Sequence, residues 1–534
     1  MDDLPNELLF HIVDQLRGPM TWSEPADYSR MHALAALCCV SKKLHHIAQP
    51  LLYESIDLPS NEVIHSQSQR LWRHLQEQPS HRFKVKALRQ RTRPRPIQDG
   101  QDRIRVRDEY IKDILRDLTA VGLGTEDASR LVGRWLSFED LYFALVAFRT
   151  PNLERLWMRP RILDQGFSGN CHCTLVEGIG RMTMGGRWLD THRFDNLKTL
   201  YIDFTSTPDM HVQYALPLLL LPNLDELTLV AWGGNYIIRA NEDGVGFDYD
   251  DIDGETTIFD GEWSWPYLSL PITKLSLFKS FVSEEMVSHI ITSCKALERF
   301  ECFHPAPSHG DGRWFGGLIP ALKNHIESLQ NLSLLCRQHS PSLENTGMAQ
   351  LDPLHEFTNL NSVRVSLYLV SDPGETLSTQ NLPAFLPPSI ISLHIHYPRE
   401  PSDEAGQQLL DVLTAHKDGI LPSLKDVYIT WVYYQRGKEE FDLLERLQSL
   451  VLIKEQYETS SITFDIILTI RDDKGIRRNW PKLANLGLVM NGTHLSTDPY
   501  YEDDPESVFV DFTTSPARYT AQELQDDQDH WTFW

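Results

Sequence analysis

The sequence predicts an α/β chain in which a short helical N-terminal region leads into an irregular array of strand-plus-helix repeats. Two observations predict it. A phrase of the form leucine-x-x-leucine-x-leucine, with other apolar residues as substitutes, recurs ten times, starting at residues 153, 197, 224, 272, 297, 329, 360, 390, 424 and 483. From Ile272 to Leu424 the starts lie 25, 32, 31, 30 and 34 residues apart, room for one strand and one returning helix. Ahead of the array, Leu8, Ile12 and Leu16 form one apolar stripe, and Leu37, Val40, Leu44 and Ile47 form another. Spacings of three and four put each stripe on one helix face.

In chain order, Leu4-Pro5-Asn6-Glu7-Leu8 opens the first helix, and Pro5 suits a first turn whose N–H groups lack partners. Residues 17–33 carry Gly18-Pro19 and Glu24-Pro25 and read as a loop. Two short helices cannot bury both stripes alone, so the apolar surplus must face a partner or the rest of the chain. Residues 52–58 alternate as a strand does; Leu71, Trp72 and Leu75 mark a helix stopped by Pro79; Phe83, Val85 and Leu88 mark a second short strand. Arg89 to Gln101, with Pro94, Pro96 and Gly100, reads as a basic excursion between repeats. Helical patterns resume at Tyr110–Leu118 and Leu136–Phe148. The gaps of 44, 48 and 59 residues that follow the starts at 153, 224 and 424 imply insertions or degenerate copies. The expected organisation is a helical region at 1–58, a repeat array at 59–495 with insertions at about 89–107 and 235–266, and an acidic tail at 496–534.

Charge and cysteine usage narrow the function. The net charge is −24, which argues against a general nucleic-acid binder, although residues 82–107 hold ten basic and two acidic side chains. That run reads as a solvated face; its alternative use is contact with an acidic or phosphorylated partner. Seven cysteines at irregular spacing suit a reducing compartment. No basic leader precedes the apolar residues and Leu216–Leu221 is too short to span a bilayer, so a cytoplasmic or nuclear protein without a membrane partner is expected. Residues 241–262 hold nine carboxylates and no Lys or Arg, which disfavours a packed core.

Enzyme chemistry is not written in the chain. Asp251, Asp253, Gly254 and Asp260 approach a calcium loop, but Tyr249 stands at its first position and Asp260 is shorter than the glutamate such loops require. Cys171-His172-Cys173 lacks the spacing and the second pair of a zinc site. A Gly-rich phosphate loop, Gly-x-Ser-x-Gly and His-Glu-x-x-His are absent from the sequence. No catalytic residue, metal or cofactor is expected.

Two resemblances carry the functional expectation. Leu4-Pro5-x-Glu7, the helical aliphatics, Val40-Ser41-Lys42 and Leu52-Tyr53 resemble an F-box, with a longer central segment and with Leu44 where the family often has Trp. The repeated phrase resembles a leucine-rich repeat, without the asparagine that often closes it. The chain is thus similar to fungal-type F-box proteins with a C-terminal leucine-rich-repeat solenoid. The resemblance implies a substrate receptor of an SCF-type ubiquitin ligase, docked on a Skp-type adaptor and through it on a cullin. Adaptor contacts would come from Leu4, Pro5, Leu8, Ile12, Leu16, Leu37, Val40 and Leu44. The alternatives are an F-box scaffold outside a ligase and a small-molecule-gated substrate sensor.

Strand alternation locates the expected substrate surface. If the three apolar positions of each phrase point inward, the residue before the third and the residue after it point out. The first outward row reads Trp157, Tyr201, Thr228, Ser276, Glu301, Ser333, Arg364, His394 and Tyr428; the second reads Arg159, Asp203, Val230, Phe278, Phe303, Leu335, Ser366, His396 and Thr430. Trp, Tyr and Arg are favoured hot-spot types. Trp157, Tyr201, Phe278, Phe303, Arg364, His394, His396 and Tyr428 are therefore the candidate substrate-binding residues.

Overall fold

The computed structural model describes residues 4–16, 28–58, 65–90, 108–120, 138–159, 194–204, 216–231, 239–240, 247–248, 268–280, 284–305, 317–337, 351–366, 382–397, 403–435, 460–472 and 489–490, with short pieces at 125, 129, 179, 282, 315, 452–454 and 456–457. The chain divides into two compact units, Met1–Leu297 and Glu298–Trp534.

The first unit begins with helices α1 (Asn6–Asp14), α2 (Tyr28–Val40) and α3 (Lys42–Glu54). The two-helix expectation is corrected. Helix α2 starts at Tyr28, inside the stretch read as a loop, and the second stripe is broken between Val40 and Leu44. Ser41 is the reason. Its backbone is extended and its hydroxyl accepts the Leu44 amide, which caps a new helix. Leu9, Val13, Leu34, Leu44 and Ala48 form the small core of the three helices, with Leu4, Leu16, Leu37, Ile47, Leu51 and Leu52 packed on it. Lys43 Nζ donates to the Leu4 carbonyl and His45 Nδ1 contacts the Cys38 carbonyl at 3.1 Å, tying α1 and α2 to α3.

Helix α3 passes directly into β1 (Ser55–Leu58), the first strand of a parallel sheet. The sheet continues through β2 (Ala87–Gln90), β3 (Arg155–Met158), β4 (Thr199–Asp203) and β5 (Glu226–Val230). A short antiparallel pair, β6 (Arg239–Ala240) and β7 (Phe247–Asp248), precedes β8 (Lys274–Phe278), which pairs with β5. The second unit repeats the plan with β9 (Arg299–Pro305), β10 (Asn331–Arg337), β11 (Ser362–Ser366), β12 (Ser392–Tyr397), β13 (Asp426–Gln435), β14 (Thr463–Asp472) and β15 (Val489–Met490). Each pairs in parallel with the next, and helices such as Asp403–Lys417 occupy the connections. Parallel neighbours need such crossovers, because a hairpin cannot reverse the chain twice.

The repeated phrase sets this order. Leu156, Leu200, Leu227 and Leu275 in the first unit, and Phe300, Leu332, Val363, Leu393 and Val427 in the second, are all buried. The 59-residue gap after Leu424 holds a degenerate copy, β14, whose Phe464 and Ile466 take the buried positions. The phrase at Leu483–Leu488 lies outside the described residues, as do the calcium-like stretch from Tyr249 to Asp260, Cys171–Cys173 and the tail from Ser496. The basic excursion begins later than expected. Arg89 and Gln90 belong to β2, and Arg89 is packed rather than solvated, because strand pairing with β1 and β3 holds it against Trp157.

An asparagine does recur, at the entrance of the phrase. Asn152, Asn196, Asn223 and Asn359 each precede the first leucine and donate from Nδ2 to a carbonyl of the preceding turn, those of Phe83, Pro151, Asp195 and Glu327, at 2.6–3.0 Å. The next carbonyl ladder runs beside it. Glu154, Lys198 and Asp225 each accept two successive amides from the following repeat.

Candidate functional site

Two surfaces carry the candidate residues. On the N-terminal helices, Leu8 (51% exposed) and Ile12 (52%) stand one turn apart on α1, outside the core that Leu9 and Val13 enter. Val40 (64% exposed) ends α2, and Pro5 is also exposed. Leu44 is buried, which corrects its expected role as a direct contact: as the first apolar residue of the capped α3 it fills the core. Leu4, Leu16 and Leu37 are half-buried and pack on the same core, so they support the surface more than they form it. Phe10, 46% exposed, was missed because it lies off the Leu8–Ile12 stripe.

Helix α3 is tied to the segment that runs from β1 to β2. Buried Glu54 pairs with Lys86 at 2.9 Å, Lys84 Nζ donates to Gln49 Oε1 at 3.2 Å, and Tyr53 stacks on His81 with ring centres 4.5 Å apart. Tyr53 Oη lies 3.0 Å from His74 Nε2, which lies 2.9 Å from His81 Nδ1. Burial, then Lys84, His74 and His45, push His81 below the usual imidazole range.

The outward rows are in register. In the first unit Asp57, Arg89, Trp157, Tyr201, Thr228 and Ser276 are successive partners across the sheet. In the second the order is Glu301, Ser333, Arg364, His394, Tyr428 and Asp465. The Arg89 guanidinium sits 3.4 Å over the Trp157 ring, and Trp157 meets Tyr201 edge-on at 4.6 Å. Arg159 pairs with buried Asp203 at 3.1 Å. Among the candidate residues, Trp157, Phe278, Phe303, Arg364, His396 and Tyr428 are half-buried, whereas Tyr201 and His394 are buried. The expectation that both face solvent is corrected: Tyr201 is packed by Trp157, and His394 is held by the Thr430 hydroxyl and the nearby Tyr428 ring. The second row is mostly interior, since Asp203, Val230, Leu335, Ser366 and Thr430 are all buried. Asp57, Arg89 and Asp465 are the members of the first row that the phrase did not reveal, because their strands carry degenerate copies.

In the second unit Glu301 pairs with Arg299 at 3.3 Å. Burial lowers Arg364 to about 10 despite the opposing influence of Glu301. Burial also holds His394 well below the ordinary imidazole range, with Arg364 and His396 adding to the effect. Among the described residues no group of three His, Cys, Asp or Glu is placed to hold a metal ion, and no helix is long and apolar enough to cross a membrane. Comparison with protein-family models, curated proteins and solved structures found no match.

Proposed function

We propose that α1–α3 are an F-box, that the strand-and-helix units form an irregular leucine-rich-repeat solenoid, and that the chain is a substrate receptor of an SCF-type ubiquitin ligase. One observation carries the reading. The residues that match the F-box pattern fold into a small helical unit whose core is complete without Leu8, Ile12 and Val40, leaving these apolar side chains for a Skp-type adaptor. The protein itself does no bond chemistry in this scheme. It holds the substrate near a ubiquitin thioester carried by another subunit, and proximity alone can be worth several kcal/mol. The ties from α3 to the segment between β1 and β2 favour this use, because a stiff connection fixes the direction in which the substrate is presented.

The test is co-purification of the adaptor and a cullin with the full chain and with a Leu8→Asp, Ile12→Asp variant. Buried anchors dominate interfaces of this kind, so the expected result is capture by the native chain and loss of at least about 100-fold in affinity for the variant. Adaptor retention by a folded double variant would refute the F-box assignment. Capture of adaptor without cullin would favour a scaffold outside a ligase.

A further inference from the structure

We infer that Tyr53, His74 and His81 form a proton-sensitive latch, which holds the end of α3 to α4 (His65–Glu77) and α5 (Pro79–Arg82) and opens when the histidine pair takes a second proton. The latch sits at the joint between the N-terminal helices and the sheet, and it does not depend on the substrate-receptor reading.

The end of α3 is poorly held by its own helix. Pro50 lies inside α3 and removes one amide from its ladder, about a turn before Tyr53. Only Glu54 separates Tyr53 from β1. On the other side α4 is anchored. Trp72 and Leu75 are buried, the Trp72 ring lies 5.5 Å from that of Tyr142, and Gln69 Nε2 donates to Tyr142 Oη at 3.1 Å. Three rings stand between. Tyr53 stacks on His81 with centres 4.5 Å apart and on His74 at 5.5 Å, and the two imidazoles are 5.1 Å apart. His74 Nε2 meets both Tyr53 Oη, at 3.0 Å, and His81 Nδ1, at 2.9 Å.

A bond between two imidazole nitrogens needs one N–H and one bare nitrogen. A neutral pair satisfies this, and so does a pair that carries one charge. Two imidazolium rings bring two N–H groups face to face, with no acceptor and with like charges. The surroundings do not offset that second charge. The groups that act on His81 are Lys84, His74 and His45, and none is a carboxylate. Glu54 on α3 is engaged by Lys86. Arg70 and Glu77 on α4 are exposed. On α5, Arg82 Nε donates to the Leu75 carbonyl at 2.6 Å, and from α2 the Cys38 thiol acts on Tyr53. Burial and its cationic neighbours keep His81 below the ordinary imidazole range. The closed latch is therefore favoured above about pH 6.5 and is lost as pH falls through the lowered value. The core of the three helices contains none of the latch residues, and β1 pairs with β2 through its backbone, so opening loosens the joint without dismantling either side.

The experiment follows amide hydrogen exchange in the full chain from about pH 7.5 to about pH 5, each rate normalised to that of an unstructured peptide at the same pH. Residues 50–58 and 74–83 should lose protection at least about tenfold across this range, while β4 and β5 keep theirs. His74→Gln still offers hydrogen bonds but takes no proton, and should abolish the step. If that variant is already open at pH 7.5, Lys84→Met decides, because it leaves the three rings in place. Removing the neighbouring charge should move the step to higher pH, a shift that a purely structural contact would not give. The proposal is overturned by the absence of a step in the native chain, or by loss of protection in β4 and β5 at the same pH. It is equally overturned by an unchanged step in His74→Gln or, where that variant is open throughout, by an unmoved step in Lys84→Met.

Discussion

At the scale of single residues, the asparagines at the phrase entrance and the histidine beside Tyr53 are the most informative. Asn223 donates to the Asp195 carbonyl at 2.6 Å, and the carbonyl loses this partner in Asn223→Ala. A bond of this kind contributes about 1 kcal/mol net, so the variant should unfold at lower denaturant with an unchanged slope. Asn223→Leu should do no better, since the position is exposed and gains no burial. His81 predicts a pH dependence. Its imidazole is held below the ordinary value, so the unfolded chain takes the proton first as pH falls. The stability it contributes is present above about pH 6.5 and is lost from there down to its lowered folded value. Unfolding midpoints between about pH 7.5 and about 5 should therefore fall, and His81→Gln should reduce the drop. A drop of the same size in that variant would assign the effect to other groups, of which His289 and His394 titrate in the same sense.

Helices and strands differ in what their sequence disclosed. The stripe Leu8–Ile12–Leu16 locates α1 correctly, but its outer members are not its core, because Leu9 and Val13 take the inward face. Hence the Leu8→Asp, Ile12→Asp variant removes side chains that are already half in water. Surface changes of this type usually stay within about 0.5 kcal/mol each, and the variant should melt with the native chain. Leu44→Asp is the contrasting change, since it places a carboxylate in the core of the three helices and should abolish their fold. Circular dichroism melts of the two variants separate a lost contact from a lost fold. The break at Ser41 was legible as a serine before Lys42-Lys43-Leu44, yet only its extended backbone decides that two helices meet there.

For the whole molecule, parallel pairing of successive phrases makes each repeat depend on its neighbours. Leu393 of β12 is buried between β11 and β13, so Leu393→Ala should cost about 2–5 kcal/mol. Hydrogen exchange should then accelerate first in β11, β12 and β13 and later in β9; uniform acceleration through the second unit would mean that it unfolds only as one body. The sequence by itself determined the strand order and the inward leucines, because a period of about 30 residues allows one strand and one return per repeat. It also determined the outward row within each unit, from Trp157 to Ser276 and from Glu301 to Tyr428, because side chains alternate with a period of two. The tertiary structure alone decided which of those outward residues meet solvent. Tyr201 and His394 are covered by their neighbours in the row, Leu335 and Ser366 lie inside, and Arg89 joins the row from a strand with no full phrase. Alternation fixes the direction of a side chain, whereas burial depends on the size of what stands beside it on the next strand, and that partner lies some 30 residues away in a register the local sequence does not carry.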